Sequence, residues 1–151
     1  EINPKFADAY SNLGNIFKDL GKLQEAKLSY QKAIEFKPNF AEAHSNMGII
    51  LKDLGKLQDA EFSYRKAIEI KPDFAEAHYN FGNLLKNLGQ IDEALLCYEA
   101  AINIDKNLHV ATEGIGQVLL KKGNHSDGIL KLREAAGSIS FDPKKASITI
   151  N

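Results

Sequence analysis

Cysteine is almost absent from this chain: its 151 residues include one, Cys97. A lone cysteine cannot close an internal disulfide, so a reducing compartment, and with it a cytoplasmic location, is the expectation. A surplus of either charge is lacking too. Nineteen Lys and Arg stand against 20 Asp and Glu, for a net charge of -1. Nucleic-acid binding needs clustered cations to neutralise phosphates, and an anionic membrane surface asks for the same, so neither partner is expected. No apolar run approaches the roughly 20 residues that span a bilayer. No basic, apolar, small-residue signal segment is found at the start. The triplet Asn124-His125-Ser126, a glycosylation-type sequence, reads as chance.

What is present is a soluble composition, 44% hydrophobic and 26% charged, with enough chain for one sizeable core. The dominant feature is self-similarity. One unit runs over residues 7–40, a second over 41–74 and a third over 75–108, and the first two agree at 23 of 34 positions. A fourth, decayed unit covers 109–142. Each carries two helical patterns. In the first, Tyr10, Leu13, Phe17 and Leu20 share one face at helical spacing, and Ala26, Tyr30, Ala33 and Ile34 share another. Gly21, Gly55, Gly89 and Gly123 fall where a left-handed helix C-cap is wanted. Pro38 and Pro72 end the second helix, because proline cannot continue it. Asn39 and Asp73 are expected to cap the next helix, with Glu42 and Glu76 completing a capping box three residues later.

The order aromatic, Leu-Gly, aromatic, Ala, aromatic, Pro resembles the tetratricopeptide repeat. The first unit reads Tyr10, Leu13-Gly14, Phe17, Ala26, Tyr30, Pro38; the second His44, Met47-Gly48, Leu51, Ala60, Tyr64, Pro72. The third reads His78, Phe81-Gly82, Leu85, Ala94, Tyr98, with Lys106 in place of proline. In the fourth, Thr112 replaces the first aromatic and Gly128 the alanine, as suits a terminal unit. The resemblance covers about nine-tenths of the chain. It implies an all-α, right-handed superhelical solenoid of helix-turn-helix repeats. Small residues such as Gly14 and Ala26 are expected where helices approach closely.

The ends suggest a piece of something longer. Residues 1–6 match the close of a preceding repeat, Ile2-Asn3-Pro4-Lys5-Phe6 against Ile70-Lys71-Pro72-Asp73-Phe74. Beyond the repeats, Ser138-Ile139-Ser140-Phe141 and Ala146-Ser147-Ile148-Thr149-Ile150 alternate with period two. The tail, 143–151 with the residues just before it, therefore reads as a β-hairpin or two edge strands.

Candidate chemistry is sparse. His44 and His78 occupy one slot in successive repeats, roughly 8–10 Å apart by helix packing, whereas zinc ligands lie about 2 Å from their ion. They are expected as core residues. Cys97 has no basic partner in sequence and reads as apolar filler. Gly114-Ile115-Gly116 lacks the third glycine and the strand of a nucleotide loop. No catalytic residue, metal site or cofactor is expected, and the chain is read as non-enzymatic.

The expected function lies in the groove lined by the first helix of each pair. Identical slots become rows: Asn12, Asn46, Asn80; Lys18, Lys52, Lys86; and Asp8, Glu42, Glu76. Ser11, Ser45, Asn15, Asn83, Asp19, Asp53 and Asn87 stand between them. Mid-helix asparagine needs a reason, since its amide competes with the backbone. A primary amide offers two donors and an acceptor, so it can hold the N–H and C=O of an extended peptide whatever its side chains. The row is similar to the asparagine ladder in the repeats of O-linked N-acetylglucosamine transferases, which implies peptide binding at Asn12, Asn46 and Asn80. The acids read chiefly as first-turn charges that suit the helix dipole. Chaperone-adaptor repeats clamp a carboxylate with two Lys, two Asn and one further cation. Here the asparagine slots hold Asn15 and Asn46, but the cationic slots hold Ser11, Glu76 and Asn80, which argues against that activity. The reading is a protein-interaction scaffold for an extended peptide or partner helix. The alternatives are the substrate-recruiting or regulatory arm of a larger enzyme such as a glycosyltransferase, and a homo-oligomeric module joined through an uncapped end or the tail strands.

Overall fold

In a computed structural model, which describes residues 5–137, 140–142 and 147–149, the repeats fold as eight helices. They are α1 (Lys5–Asp19), α2 (Leu23–Phe36), α3 (Ala41–Asp53), α4 (Leu57–Ile70), α5 (Ala75–Asn87), α6 (Ile91–Ile104), α7 (His109–Lys121) and α8 (His125–Ala135). Beyond them β1 (Ser140–Asp142) and β2 (Ser147–Thr149) pair antiparallel, with Phe141 opposite Ile148. The other residues of the period-two tail, and the opening residues 1–4, lie outside the described set.

The joints are local chemistry. Gly21 has φ +70°, and Gly55, Gly89 and Gly123 follow at +74°, +80° and +80°. At the first joint the Gly21 N–H donates to the Lys18 carbonyl and the Lys22 N–H to the Phe17 carbonyl, at 2.9 and 2.8 Å. That paired bond is the Schellman closure, and it returns α2 against α1. At the other joint Pro38 and Pro72 follow the helix ends. Where Lys106 stands instead, the Asn107 N–H donates to the Asp105 carboxylate at 2.9 Å, an Asx turn doing the work of proline.

The capping expectation fails. The cap positions of α3 and α5 are Phe40 and Phe74, with no side-chain cap bond. Asn39 and Asp73 are used up in the turn, one residue too early to reach the helix. Each ring lies by a cation, Lys37 4.2 Å from the Phe40 ring and Lys71 4.8 Å from the Phe74 ring, and Leu108 holds the same position before α7 without one. Glu42 pairs with Lys71 at 3.3 Å rather than closing a capping box. Among the described N-cap residues, the one that bonds through its side chain is Asn124 of α8, whose carbonyl oxygen accepts from the Asp127 N–H.

Each helix packs on its partner and then on the next pair. Along one side α3 touches α5 and α5 touches α7, whereas α2, α4, α6 and α8 make no sustained contact with one another. The odd helices therefore form a continuous inner wall, and the even helices stand apart on the outside. Tyr30, Tyr64 and Tyr98 are fully buried between them. A Cβ on Gly14 would stand 2.6 Å from the Tyr30 ring, one on Gly48 2.7 Å from Tyr64 and one on Gly82 2.8 Å from Tyr98, so glycine is what lets each pair close. In the last pair Leu132 replaces the tyrosine and lies against Gly116. Stacking also sets burial by rank: Ile50, Leu84 and Val118 are wholly buried, but Ile16, in the same slot of the first unit, is 55% exposed.

Candidate functional site

The inner wall carries the rows expected from the repeat. Asn12 is exposed, and Asn46 and Asn80 are half-buried; Lys18, Lys52 and Lys86 are half-buried beside them. The structure brings Asn15 and Asn46 together: the Asn46 amide donates to the Asn15 carbonyl oxygen at 3.3 Å. That same oxygen accepts the Tyr30 hydroxyl at 2.8 Å. Tyr98 donates likewise to Asn83 at 2.8 Å. Burial, with the Asp19 carboxylate adding to it, pushes the Tyr30 hydroxyl up to about 12, so it remains a donor.

The consequence lies in what is left over. With its oxygen occupied twice, Asn15 keeps an amide NH2 to donate, while Asn46 keeps its carbonyl oxygen and one N–H. A donor and an acceptor thus stand side by side on the inner wall. The side chains of Asn12 and Asn80 make no hydrogen bond among the described residues.

Other expected positions sit differently. Ser11 and Ser45 are buried, so they offer a ligand almost no surface. Lys86 donates to Gln117 at 2.7 Å, and Gln117 in turn donates to Glu113 at 2.9 Å. Burial, helped by Lys121 and opposed by Glu113, lowers the Lys86 ammonium below its ordinary range. Lys52 faces its neighbour Asp53 at 3.5 Å. Lys18 has no ion partner among the described residues. Asp8, Glu42 and Glu76 are exposed in or near first helical turns.

Two features escaped the sequence reading, although their signal was there. Ile49 holds the slot of Asn15 and Asn83, so the polar wall is interrupted by an apolar position. Leu28, Phe62, Leu96 and Leu130 recur at the repeat spacing on the outer helices, each more than 60% exposed. His44 and His78 are fixed structurally: each Nε2 donates to a carbonyl of the preceding turn, Pro38 or Pro72, at 2.9 Å. Cys97 is half-buried, and burial raises its thiol to about 11 against the opposing pull of Arg65. Gly114 lies under the Tyr98 ring within α7.

Family models described as TPR repeat match residues 14–55 and 50–89, and one described as tetratricopeptide repeat matches 75–108. No curated protein matches the chain. Among solved structures, MamA is similar with a TM-score of 0.80 at 25% identity, over 89% of this chain and 78% of its own. PilF of Pseudomonas aeruginosa gives 0.82 at 23% identity, over 87% and 60%. The first TPR of Spaghetti (RPAP3), solved bound to the HSP90 peptide SRMEEVD, gives 0.77 at 21% identity, over 81% and 97%.

Proposed function

The chain belongs to the tetratricopeptide-repeat family, and from that premise we propose that it binds an extended polypeptide along its inner wall, held by backbone contacts to the asparagines. The observation that carries the reading is the Tyr30–Asn15–Asn46 cluster. It leaves a fixed amide donor beside a fixed carbonyl acceptor, the complement of one peptide unit. Tying Asn15 to a buried tyrosine also removes the rotamer freedom that binding would otherwise have to quench.

The ligand class differs from a carboxylate clamp. Ser11, in one cationic slot, is buried, and Glu76, in another, is an exposed acid that repels a carboxylate. The likeness to the RPAP3 repeat is therefore one of fold. A ligand without a required terminal carboxylate fits this wall better.

The test is panning of displayed 12-residue random peptides against the chain and against its Asn12→Ala, Asn46→Ala, Asn80→Ala form. Enriched sequences should bind the triple variant about tenfold or more weakly, with an unchanged helical circular-dichroism spectrum. Equal affinity for a folded triple variant would remove the asparagines from the site. The same asparagine row supports a second reading, a substrate-recruiting arm of a larger enzyme such as a glycosyltransferase; a full-length reading frame lacking any catalytic domain overturns it. Self-association is favoured by Leu13, Ile16 and Leu20, which α1 leaves exposed. Light scattering that shows monomer across a hundredfold concentration range, about 1–100 µM, would exclude it in that range. Among the described residues no helix is long and apolar enough to cross a membrane.

A further inference from the structure

We propose that the outer cleft between α6, α7 and α8 is a second docking site, taking an apolar side chain and an adjacent lysine or arginine of a partner polypeptide. Because the even helices make no sustained contact with one another, a cleft opens on the outside at the first and at the last repeat junction, bordered by the odd helix between them. At the last junction it measures about 460 Å³. Leu95, Ile102, Ile115 and Leu119 make the floor, and Glu99 and Asp127 stand on the rim. That volume suits one or two large side chains.

The chain itself shows what such a cleft takes. At the middle junction the exposed Arg65 lies over the equivalent apolar position, its guanidinium 5.2 Å from the Phe81 ring and 2.6 Å from the Glu61 carboxylate. Phe81 holds the slot that Ile115 holds at the last junction, and Arg65 the slot that Glu99 holds. The cation there lies over an apolar residue and is paired to an acid. At the last junction Glu99 replaces that cation and Leu95 replaces Glu61, so an apolar lining with the acids Glu99 and Asp127 at its edge is left, and the matching positive charge must come from outside. The cleft at the first junction, about 340 Å³, has the same floor type but Lys27 as well as Asp59 at its edge, and lacks that bias.

Two further observations point the same way. Helix α6 carries Asp92, Glu93 and Glu99 and no lysine or arginine. Asp92 is paired with Lys122 at 2.6 Å, but Glu99 has no cation partner among the described residues. Lys131, the cleft's own cation, is held at 2.8 Å by Glu134. Leu96 and Leu130, 65% and 61% exposed on α6 and α8, continue the apolar character of the outer face outside the cleft lining.

The experiment uses two labelled helical peptides as probes, one of leucine and arginine and one of leucine and glutamate, titrated into the whole chain. The Leu–Arg peptide should bind about tenfold or more tightly than its counterpart, and Glu99→Lys with Asp127→Lys should weaken it by a similar factor. Glu25→Lys with Asp73→Lys makes the same change in net charge away from the cleft and should alter affinity less than about twofold. The asparagine triple variant should bind as the native chain does, which separates this site from the inner wall. Equal weakening by the two charge-reversed pairs, or amide shifts confined to the odd helices in a two-dimensional NMR titration, would overturn the proposal.

Discussion

Ile16 and Ile50 occupy one slot in successive repeats, so truncating each to alanine reads the energy of stacking with side-chain chemistry held constant. Ile50 is wholly buried and Ile16 is 55% exposed. Removing three carbons from a buried site forfeits about 2.4 kcal/mol of transfer energy at about 0.8 per methylene. The cavity left between α3 and its neighbours adds to that, so Ile50→Ala should cost about 3 kcal/mol, within the usual range of about 2–5. Ile16 has less than half of its surface to lose and solvent refills the space, which leaves about 1 kcal/mol. For a chain of this length about 3 °C accompanies each kcal/mol, so the thermal midpoints should fall by about 9 °C and about 3 °C respectively. Circular dichroism at 222 nm across a slow, reversible scan measures both. A terminal unit that frays before the rest would broaden the Ile16→Ala transition at its low-temperature edge without moving its main midpoint further. Equal shifts, or a larger one for Ile16→Ala, would refute the claim that the preceding repeat creates the burial.

Gly48→Val should destabilise by about 1–3 kcal/mol in the same assay, since even a Cβ there stands 2.7 Å from the Tyr64 ring. Tyr30→Phe should cost about 1 kcal/mol by removing the bond to Asn15, whereas Tyr64→Phe should cost less, because Ile49 offers its hydroxyl no acceptor. Chemical denaturation of the two variants in parallel checks the order. Cys97, raised to about 11, should alkylate with iodoacetamide at pH 8 about a hundredfold more slowly than a thiol at its ordinary 9.0, and its rate should keep rising until about pH 11. Below pH 9 the thiol is protonated in both the folded and the unfolded chain and contributes nothing to the pH dependence of stability. Between 9 and 11 the unfolded chain ionises first, so the native chain loses ground that Cys97→Ala does not.

What the sequence made legible was whatever a single repeat determines. Gly21 and its counterparts had to be left-handed because a helix ended there, and Gly14 had to be small because an aromatic followed sixteen residues later. Cap assignments were off by one residue because Asn39 and Asp73 are good caps only if the turn ends on them. The turn instead ends one residue later, on Phe40, Phe74 and Leu108, large apolar residues that cap propensity does not favour. Ser11 and Ser45 stand between the groove rows by spacing, but packing buries them. The rows on the inner wall were visible as spacing. The bonding of Asn46 to Asn15 was not, because those residues lie in different repeats and only the pitch of the stack decides whether they meet. The outer cleft was harder still, since its lining is drawn from three helices and its distinguishing charge is the exchange of Arg65 for Glu99.

Ile49 has a consequence that its apolar character alone does not suggest. A wall of identical rungs is translationally degenerate: an extended chain shifted by one repeat meets the same donors and acceptors, so it can be held without being located. One odd rung lifts the degeneracy. For a polypeptide bound as proposed, the alignment that sets an apolar side chain over Ile49, with Asn15 and Asn83 in the flanking repeats, differs from every alignment shifted by one repeat. The irregular repeat would then act as an index mark, giving the inner wall an origin as well as a direction.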